Sequence, residues 1–239
     1  MTTQITTEIG PKGEQAPLTP KGEQTRKHIL ETALALFHEK GYHAATMRDI
    51  AAAAGCSLGL TYRYFSRKEE MVVALYARCA QELEEQVASL SPSATIAERY
   101  AAALEGDMAR LAPFREALGT LFGVALIPDS ELAVLGDNLQ ELRAQVWGVF
   151  RKVIMEASDA PKPKQADELA TAFYAGYLAF LLFWLQDRTP GQRTTHELLA
   201  FGRDLLAKLR PALRLPLAGK QLARLVKIIG PMFGPMGKV

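Results

Sequence analysis

Arg63 stands four residues beyond Gly59 and three beyond Leu60, inside a short stretch that opens at Ser57 and closes at Phe65. Helical rotation of 100° per residue, measured from a buried Phe65, puts Leu58, Thr61 and Tyr62 within about 60° of the core direction. Gly59, Leu60 and Arg63 then face the other way. That outward set is small, apolar and cationic, which suits the edge of a base pair. Glycine lets the backbone approach, leucine meets a thymine methyl, and a guanidinium donates to a guanine edge. Ser57, at the start of the stretch, is counted with them as base-contacting. Arg26, Thr46, Tyr62, Tyr64 and Lys68 fall at helix ends or margins, where hydroxyls and cations suit phosphate oxygens.

Other chemistry finds little support. His28, His38, His43 and His196 form no metal-ligand set, and Cys56 and Cys79 fit neither a metal site nor a disulfide framework. A nucleophile elbow, a phosphate loop and a carboxylate pair are all missing from the sequence. The expectation is a protein that is not an enzyme, with no catalytic residue, metal or cofactor.

The elements that must hold these residues can be read from their start and stop signals. A first helix over residues 25–40 places Ile29, Ala33, Leu36 and Phe37 on one face, and Gly41 ends it. Thr46 and Asp49 make a capping-box start for a second helix, whose Ile50, Ala51 and Ala54 face inward. Gly55 supplies a tight turn and Ser57 the N-cap of the third helix. Ser66 with Glu69 reads as the capping pair of a long fourth helix. Two short helices joined by a glycine turn and braced by a preceding helix form the geometry that sets a recognition helix into a major groove.

Across this region Thr25, Arg26, Ile29, Leu30, Ala33, Leu36, Phe37, Gly41, Tyr42, Thr46, Asp49, Ile50, Ala51, Ala54, Gly55, Ser57, Tyr62, Phe65, Lys68 and Glu69 form an ordered, ungapped pattern. It resembles the DNA-binding domain of the TetR/AcrR family of bacterial transcriptional regulators. The resemblance implies a homodimer on a palindromic double-stranded DNA operator, acting as a repressor and released by a small apolar or amphipathic effector. It also implies that the effector displaces the fourth helix and alters the spacing of the two recognition helices, an effect that linkage makes reciprocal. Cys56 and Thr61 stand where the family has larger aliphatic residues, and Leu58 where it has a polar one. Beyond Glu69 only the helical layout is shared.

Composition sets the frame. The 239 residues are 49% hydrophobic and 23% charged, as in a soluble globular protein. With 28 Lys+Arg against 26 Asp+Glu the formal net charge is only +2, so a nucleic-acid partner must be argued from the local motif. Helical periodicity without alternating strands predicts an all-α fold of roughly nine helices, punctuated by Pro and Gly. The expected organisation is a flexible arm (1–22), a helix-turn-helix domain (23–68), a larger ligand-binding and dimerisation domain (69–210) and a basic C-terminal extension (211–239). Cysteine usage and an N-terminus without a secretory pattern suggest a cytoplasmic protein. Residues 169–185 carry no charge. They are short for a membrane span and read better as a helix buried in a bundle or dimer.

In the larger domain, Val72, Leu75, Tyr76, Cys79, Leu83 and Val87 form one stripe of the fourth helix, which would brace the DNA-binding unit. Leu104, Met108, Phe114, Leu121, Phe122, Trp147, Phe150, Phe173 and Tyr177 supply bulk for an apolar ligand pocket. Asp107, Arg110, Arg143 and Gln145 are polar residues that would orient the ligand. Ala172, Ala175, Gly176, Ala179 and Phe183 permit close helix approach, and with Leu198, Phe201 and Leu205 they are the expected dimer interface. After Asp204 there are seven basic residues and no acidic one. Leu222, Leu225, Val226 and Ile229 line one side of this tail, opposite Lys220, Arg224 and Lys227. Folding back onto its own domain is the favoured reading, with membrane association the alternative. A helical ligand-binding or adaptor protein that no longer binds DNA remains the second reading of the whole chain.

Overall fold

The computed structural model describes residues 19–210 and 216–234, and among these the secondary structure is entirely helical. The α-helices are α1 (Pro20–Lys40), α2 (Met47–Ala53), α3 (Leu58–Tyr64), α4 (Lys68–Ala88), α5 (Ile96–Leu111), α6 (Arg115–Ala125), α7 (Gln140–Met155), α8 (Pro163–Gln186), α9 (Arg193–Leu209) and α10 (Pro216–Ile229). Short 3-10 turns precede α6, α7 and α9 and follow α10.

α1 begins earlier than residue 25, because Thr19 caps it, its hydroxyl accepting from the Gly22 amide at 3.2 Å, and Pro20 suits the first turn. Residues 20–22, assigned to the arm, are therefore helical, while residues 1–18 lie outside the described residues. Gly41 (φ 82°) and Gly55 (φ 63°) occupy the left-handed region that ends a helix or turns the chain. α2 starts at the expected capping box: Thr46 Oγ1 accepts from the Asp49 amide at 3.1 Å while the Asp49 carboxylate accepts from the Thr46 amide at 2.9 Å. At the start of α4 the pairing differs from expectation. Ser66 bonds Glu70, its amide donating at 2.8 Å, and Glu69 instead accepts from the Tyr42 hydroxyl at 2.5 Å. Tyr42 is buried beneath that junction and claims the carboxylate nearest to it.

Two apolar clusters form the core. The first joins α1–α3 (Ile29, Phe37, Ile50, Phe65) to Met71, Val72 and Leu75 of α4, Leu118 and Leu121 of α6 and Trp184 near the end of α8. The second packs Leu83 and Val87 of α4 with α5, α7 and the first half of α8. α4 contributes to both. α8 is long and apolar enough to cross a membrane by length and composition. Its N-terminal half lies in the second cluster, Trp184 is fully buried in the first, and Leu182 and Phe183 remain exposed.

The C-terminal extension folds back within the described residues. α10 packs on α8, Leu222 and Ile229 lean on the second cluster, and Phe233 is buried against Tyr174 with ring centroids 5.3 Å apart. Leu225, placed in the apolar stripe, is instead exposed, as is Ile228. Residues 211–215 and 235–239 of the extension lie outside the described residues.

Arg99 ties the second cluster together. Only 1% exposed, it donates to the carbonyls of Val153 (3.0 Å), Leu90 (3.1 Å) and Ser91 (3.0 Å) and to the Glu156 carboxylate at 2.7 Å. Removing it leaves the Val153 and Leu90 carbonyls unpaired, while the Ser91 carbonyl keeps the Ala94 amide at 3.2 Å. Arg99→Met should lower unfolding stability by about 2–3 kcal/mol, mainly from the carbonyls left unpaired, because Glu156 is half-exposed and its ion pair is screened by solvent. Urea denaturation of wild type and variant checks this, and an unchanged midpoint would show that the clamp is dispensable.

Candidate nucleic-acid interface and ligand cavity

α3 is held by Ser57, whose hydroxyl accepts from the Leu60 amide at 3.1 Å, and by Thr61, which is fully buried with its hydroxyl donating to the Ser57 carbonyl at 3.2 Å. Thr61 thus points inward without an unsatisfied hydroxyl, which explains how a polar residue fits where an aliphatic one was expected. Ser57, Gly59 and Arg63 are exposed and Leu60 is half-buried. A Cβ built on Gly59 would meet nothing within 4 Å. Packing therefore does not demand a glycine at this helical position, although glycine weakens the helix.

Helical rotation placed Tyr62 toward the core. It is instead 48% exposed, because Thr61 and Phe65 fill the space beneath α3, and this leaves its hydroxyl on the outer surface. Leu58 is half-buried at the margin and Tyr64 packs on the first cluster. Arg26 lays its guanidinium over the Phe65 ring at 4.7 Å, which fixes a cation beside the end of α3. Thr46 is exposed at the start of α2. Arg48, exposed two residues further on, is a cation at the start of α2 outside the predicted contact set.

Lys68 is a correction. Its ammonium donates to the carbonyls of Tyr42 (2.7 Å), Ala45 (2.7 Å) and His43 (3.4 Å) and sits 4.6 Å over the Tyr42 ring. An ammonium has three hydrogens, so all of them are engaged inside the protein and none is left for a phosphate. Lys68 joins the start of α4 to the loop between α1 and α2. An adjacent ion pair, Arg67 with Glu131, ties the same end of α4 to the segment between α6 and α7.

A cavity of about 100 Å³ lies between α4, α6, α7 and α8. α4 contributes Tyr76, Cys79, Ala80 and Leu83, α6 contributes Leu118 and Phe122, and α8 contributes Tyr174, Tyr177, Leu178, Leu181 and Leu185. Arg143 and Val146 come from α7. Of the nine expected pocket residues, Phe122 and Tyr177 line it. The other seven, only two of which (Leu104 and Met108) lie on α5, are placed elsewhere. Leu104 lines an open groove with α8 and α9. Met108 and Leu121 belong to the first cluster, and Phe150 and Phe173 to the second. Trp147 is buried with its indole donating to Thr171 Oγ1 at 3.1 Å, and Phe114 lies under Arg78 at 5.2 Å. The stripe of α4 assigned to bracing carried the missing signal, since Tyr76, Cys79 and Leu83 fall on it.

Among the polar candidates, Asp107 is 3% exposed and accepts from the Tyr177 hydroxyl at 3.0 Å and from Arg110 at 3.1 Å. Burial raises its carboxyl above the ordinary range. Arg143 is 4% exposed and Gln145 is exposed.

On the far side of the bundle, Gly176, Ala179, Phe183, Leu198 and Leu205 line the open apolar groove between α8 and α9. Phe201 beside it is 62% exposed. Ala175 turns instead toward the second cluster, and Ala172 is half-buried. Among the described residues no group of three His, Cys, Asp or Glu is placed to hold a metal.

A short capped helix presented beyond a glycine turn, on an all-helical body with an internal cavity, defines a helix-turn-helix protein. Residues 29–75 match the model of the bacterial regulatory proteins of the tetR family. Over 95 residues it is 39% identical to the HTH-type transcriptional dual regulator CecR of Shigella flexneri, covering 39% of this chain and 40% of that protein. Over 47 residues it is 51% identical to the HTH-type transcriptional repressor KstR2 of Mycobacterium tuberculosis, covering 20% of this chain and 24% of the relative. The chain thus spans less than half the length of these curated relatives. The fold extends the likeness: the TetR transcriptional regulator of Nitrosomonas europaea superposes with a TM-score of 0.60 at 20% identity, over 78% of this chain and 99% of that one.

If Lys68 acts as an internal tie, Lys68→Met should lower unfolding stability by about 1–3 kcal/mol by leaving carbonyls unpaired. A thermal or urea melt checks it. An unchanged stability with weakened DNA binding would return Lys68 to the phosphate-contacting set.

Proposed function

We propose that this chain is a transcriptional repressor that binds a palindromic operator as a homodimer and is released by a small apolar or amphipathic ligand. Residues 23–68 read DNA and residues 69–210 sense the ligand and pair with a second copy. The observation that carries the reading is α3, which exposes Ser57, Gly59 and Arg63 on one surface while Thr61 and Phe65 anchor it from beneath. Arg63 and the Gly59 backbone meet base edges, with Leu60 at the margin. Arg26, Thr46, Tyr62 and Tyr64, with Arg48, meet phosphates.

The groove of α8 and α9 supports pairing. Phe183, Leu198, Phe201 and Leu205 leave an apolar surface uncovered in the single chain, and a second copy would bury it in a four-helix arrangement. A two-fold dimer of this kind reads half-sites one helical turn apart. The cavity supports sensing, since α4 forms one of its walls and also begins at the DNA-binding unit.

Selection of duplexes from a random pool by the purified protein should yield inverted repeats, bound with an affinity that falls steeply as salt rises. Arg63→Ala should lose about 1–3 kcal/mol at one position of each half-site and relax the choice of base there. Gly59→Leu should leave folding intact, even stabilising α3 by about 0.5 kcal/mol, yet block close approach to the groove. Fluorescence anisotropy with the selected site measures both. A protein indifferent to duplex DNA at low ionic strength would contradict the proposal and leave a helical ligand-binding protein.

A further inference from the structure

Two of the three buried arginines among the described residues, Arg99 and Arg143, are treated differently. Arg99 has its charge met by Glu156 at 2.7 Å. Arg143, 4% exposed, has no carboxylate within ion-pairing distance among the described residues. Its Nε donates to the Phe233 carbonyl at 3.1 Å and its Nη1 to the carbonyls of Val134 (3.2 Å) and Gly136, and Nη2 has no hydrogen-bond partner there. Carbonyl dipoles orient a guanidinium but leave its unit charge uncompensated, which is costly in an apolar interior.

The second observation is Tyr174. It is 3% exposed, and its hydroxyl makes no hydrogen bond among the described residues. Burial pushes that hydroxyl well above its ordinary range, with the Arg143 charge the opposing influence, so it stays a protonated donor. Arg143 and Tyr174 line the same cavity, whose remaining wall is almost wholly apolar. Phe233 holds both residues, its ring on Tyr174 and its carbonyl accepting from Arg143.

We infer that the effector is a compact apolar monocarboxylate, whose carboxylate is taken by Arg143 and Tyr174 and whose body fills the cavity toward Cys79 and Leu178. One uncompensated positive charge matches a monoanion, and the two hydrogens of Nη2 with the Tyr174 hydroxyl supply the donors that two carboxylate oxygens require. A phosphate dianion would bring a second charge with no cation to meet it. The small volume calls for an aryl or short-chain acid, which enters fully only as the α4 wall yields. This inference rests on the sensing role proposed above.

The test uses the purified full-length chain and a panel of phenylacetate, hexanoate and octanoate, each beside its neutral primary amide, with binding measured by calorimetry. At least one acid should bind tenfold or more tighter than its amide. Tyr174→Phe should reduce that preference several-fold and Arg143→Met should abolish it while amide binding persists. Should Arg143→Met fail to fold, the wild-type comparison and Tyr174→Phe decide. Equal affinity for acids and amides, no binding by any acid, or a preference untouched by Tyr174→Phe and Arg143→Met would overturn the inference. Operator release measured in the same samples separates the two readings. Acids that bind without releasing DNA would refute the repressor reading alone, whereas release by a neutral molecule only would refute the carboxylate alone.

Discussion

α4 is one uninterrupted helix that belongs to two cores, and the remaining structure is arranged around that fact. Its first turns bury Met71, Val72 and Leu75 among the residues of α1–α3, and its later turns bury Leu83 and Val87 against α7 and α8. Between them, Tyr76, Cys79 and Ala80 face the cavity. A close-packed helix transmits displacement along its axis because neither core deforms continuously. Lys68 and Glu69 fasten its N-terminus, the first to the carbonyls of the α1–α2 loop and the second to Tyr42. On the sensing role proposed above, a ligand that displaces the α4 wall would pull on the α1–α2 loop through these ties.

The electrostatics divide along the same line. Around α1–α3 the charges serve local geometry: Arg26 on Phe65, Asp49 in its capping box, Glu70 on Ser66. The body of the bundle buries charge more deeply. Asp187 accepts from the amides and hydroxyls of Thr189 and Thr195, which hold its carboxyl well below the usual carboxylate range and join α8 to α9. Its stabilisation is thus present above that range and lost as pH falls below it. Arg99 is neutralised by Glu156, whereas Arg143 meets only carbonyls among the described residues, the asymmetry on which the proposed anion site rests.

Much of the DNA-binding unit was legible in the sequence because its signals are local. Thr46 with Asp49, Ser57, Gly41 and Gly55 each specify backbone geometry within a few residues of themselves. Misreadings arose where a residue answers to a distant neighbour. Glu69 was drawn from Ser66 by Tyr42, and Lys68 was drawn from the surface by the carbonyls of the same loop. The cavity was mostly illegible for a related reason. Periodicity tells which face of a helix is buried but not which helix lies opposite, so Met108, Leu121, Phe150 and Phe173 looked like pocket lining when they fill the two cores. Arg143 stood out as a polar residue, but its meeting carbonyls and no carboxylate among the described residues is a property of the packed structure.

The central claim is that cavity occupancy and the placement of α2–α3 are linked through α4. A nitroxide at Arg48→Cys in a Cys56→Ser, Cys79→Ala background would report the distance between the two α2 helices of a dimer by double electron–electron resonance. Saturation with a carboxylate that binds the cavity should shift that distance by a few ångström, the scale of a helix displacement at an interface. Identical distance distributions with and without bound carboxylate would contradict the linkage.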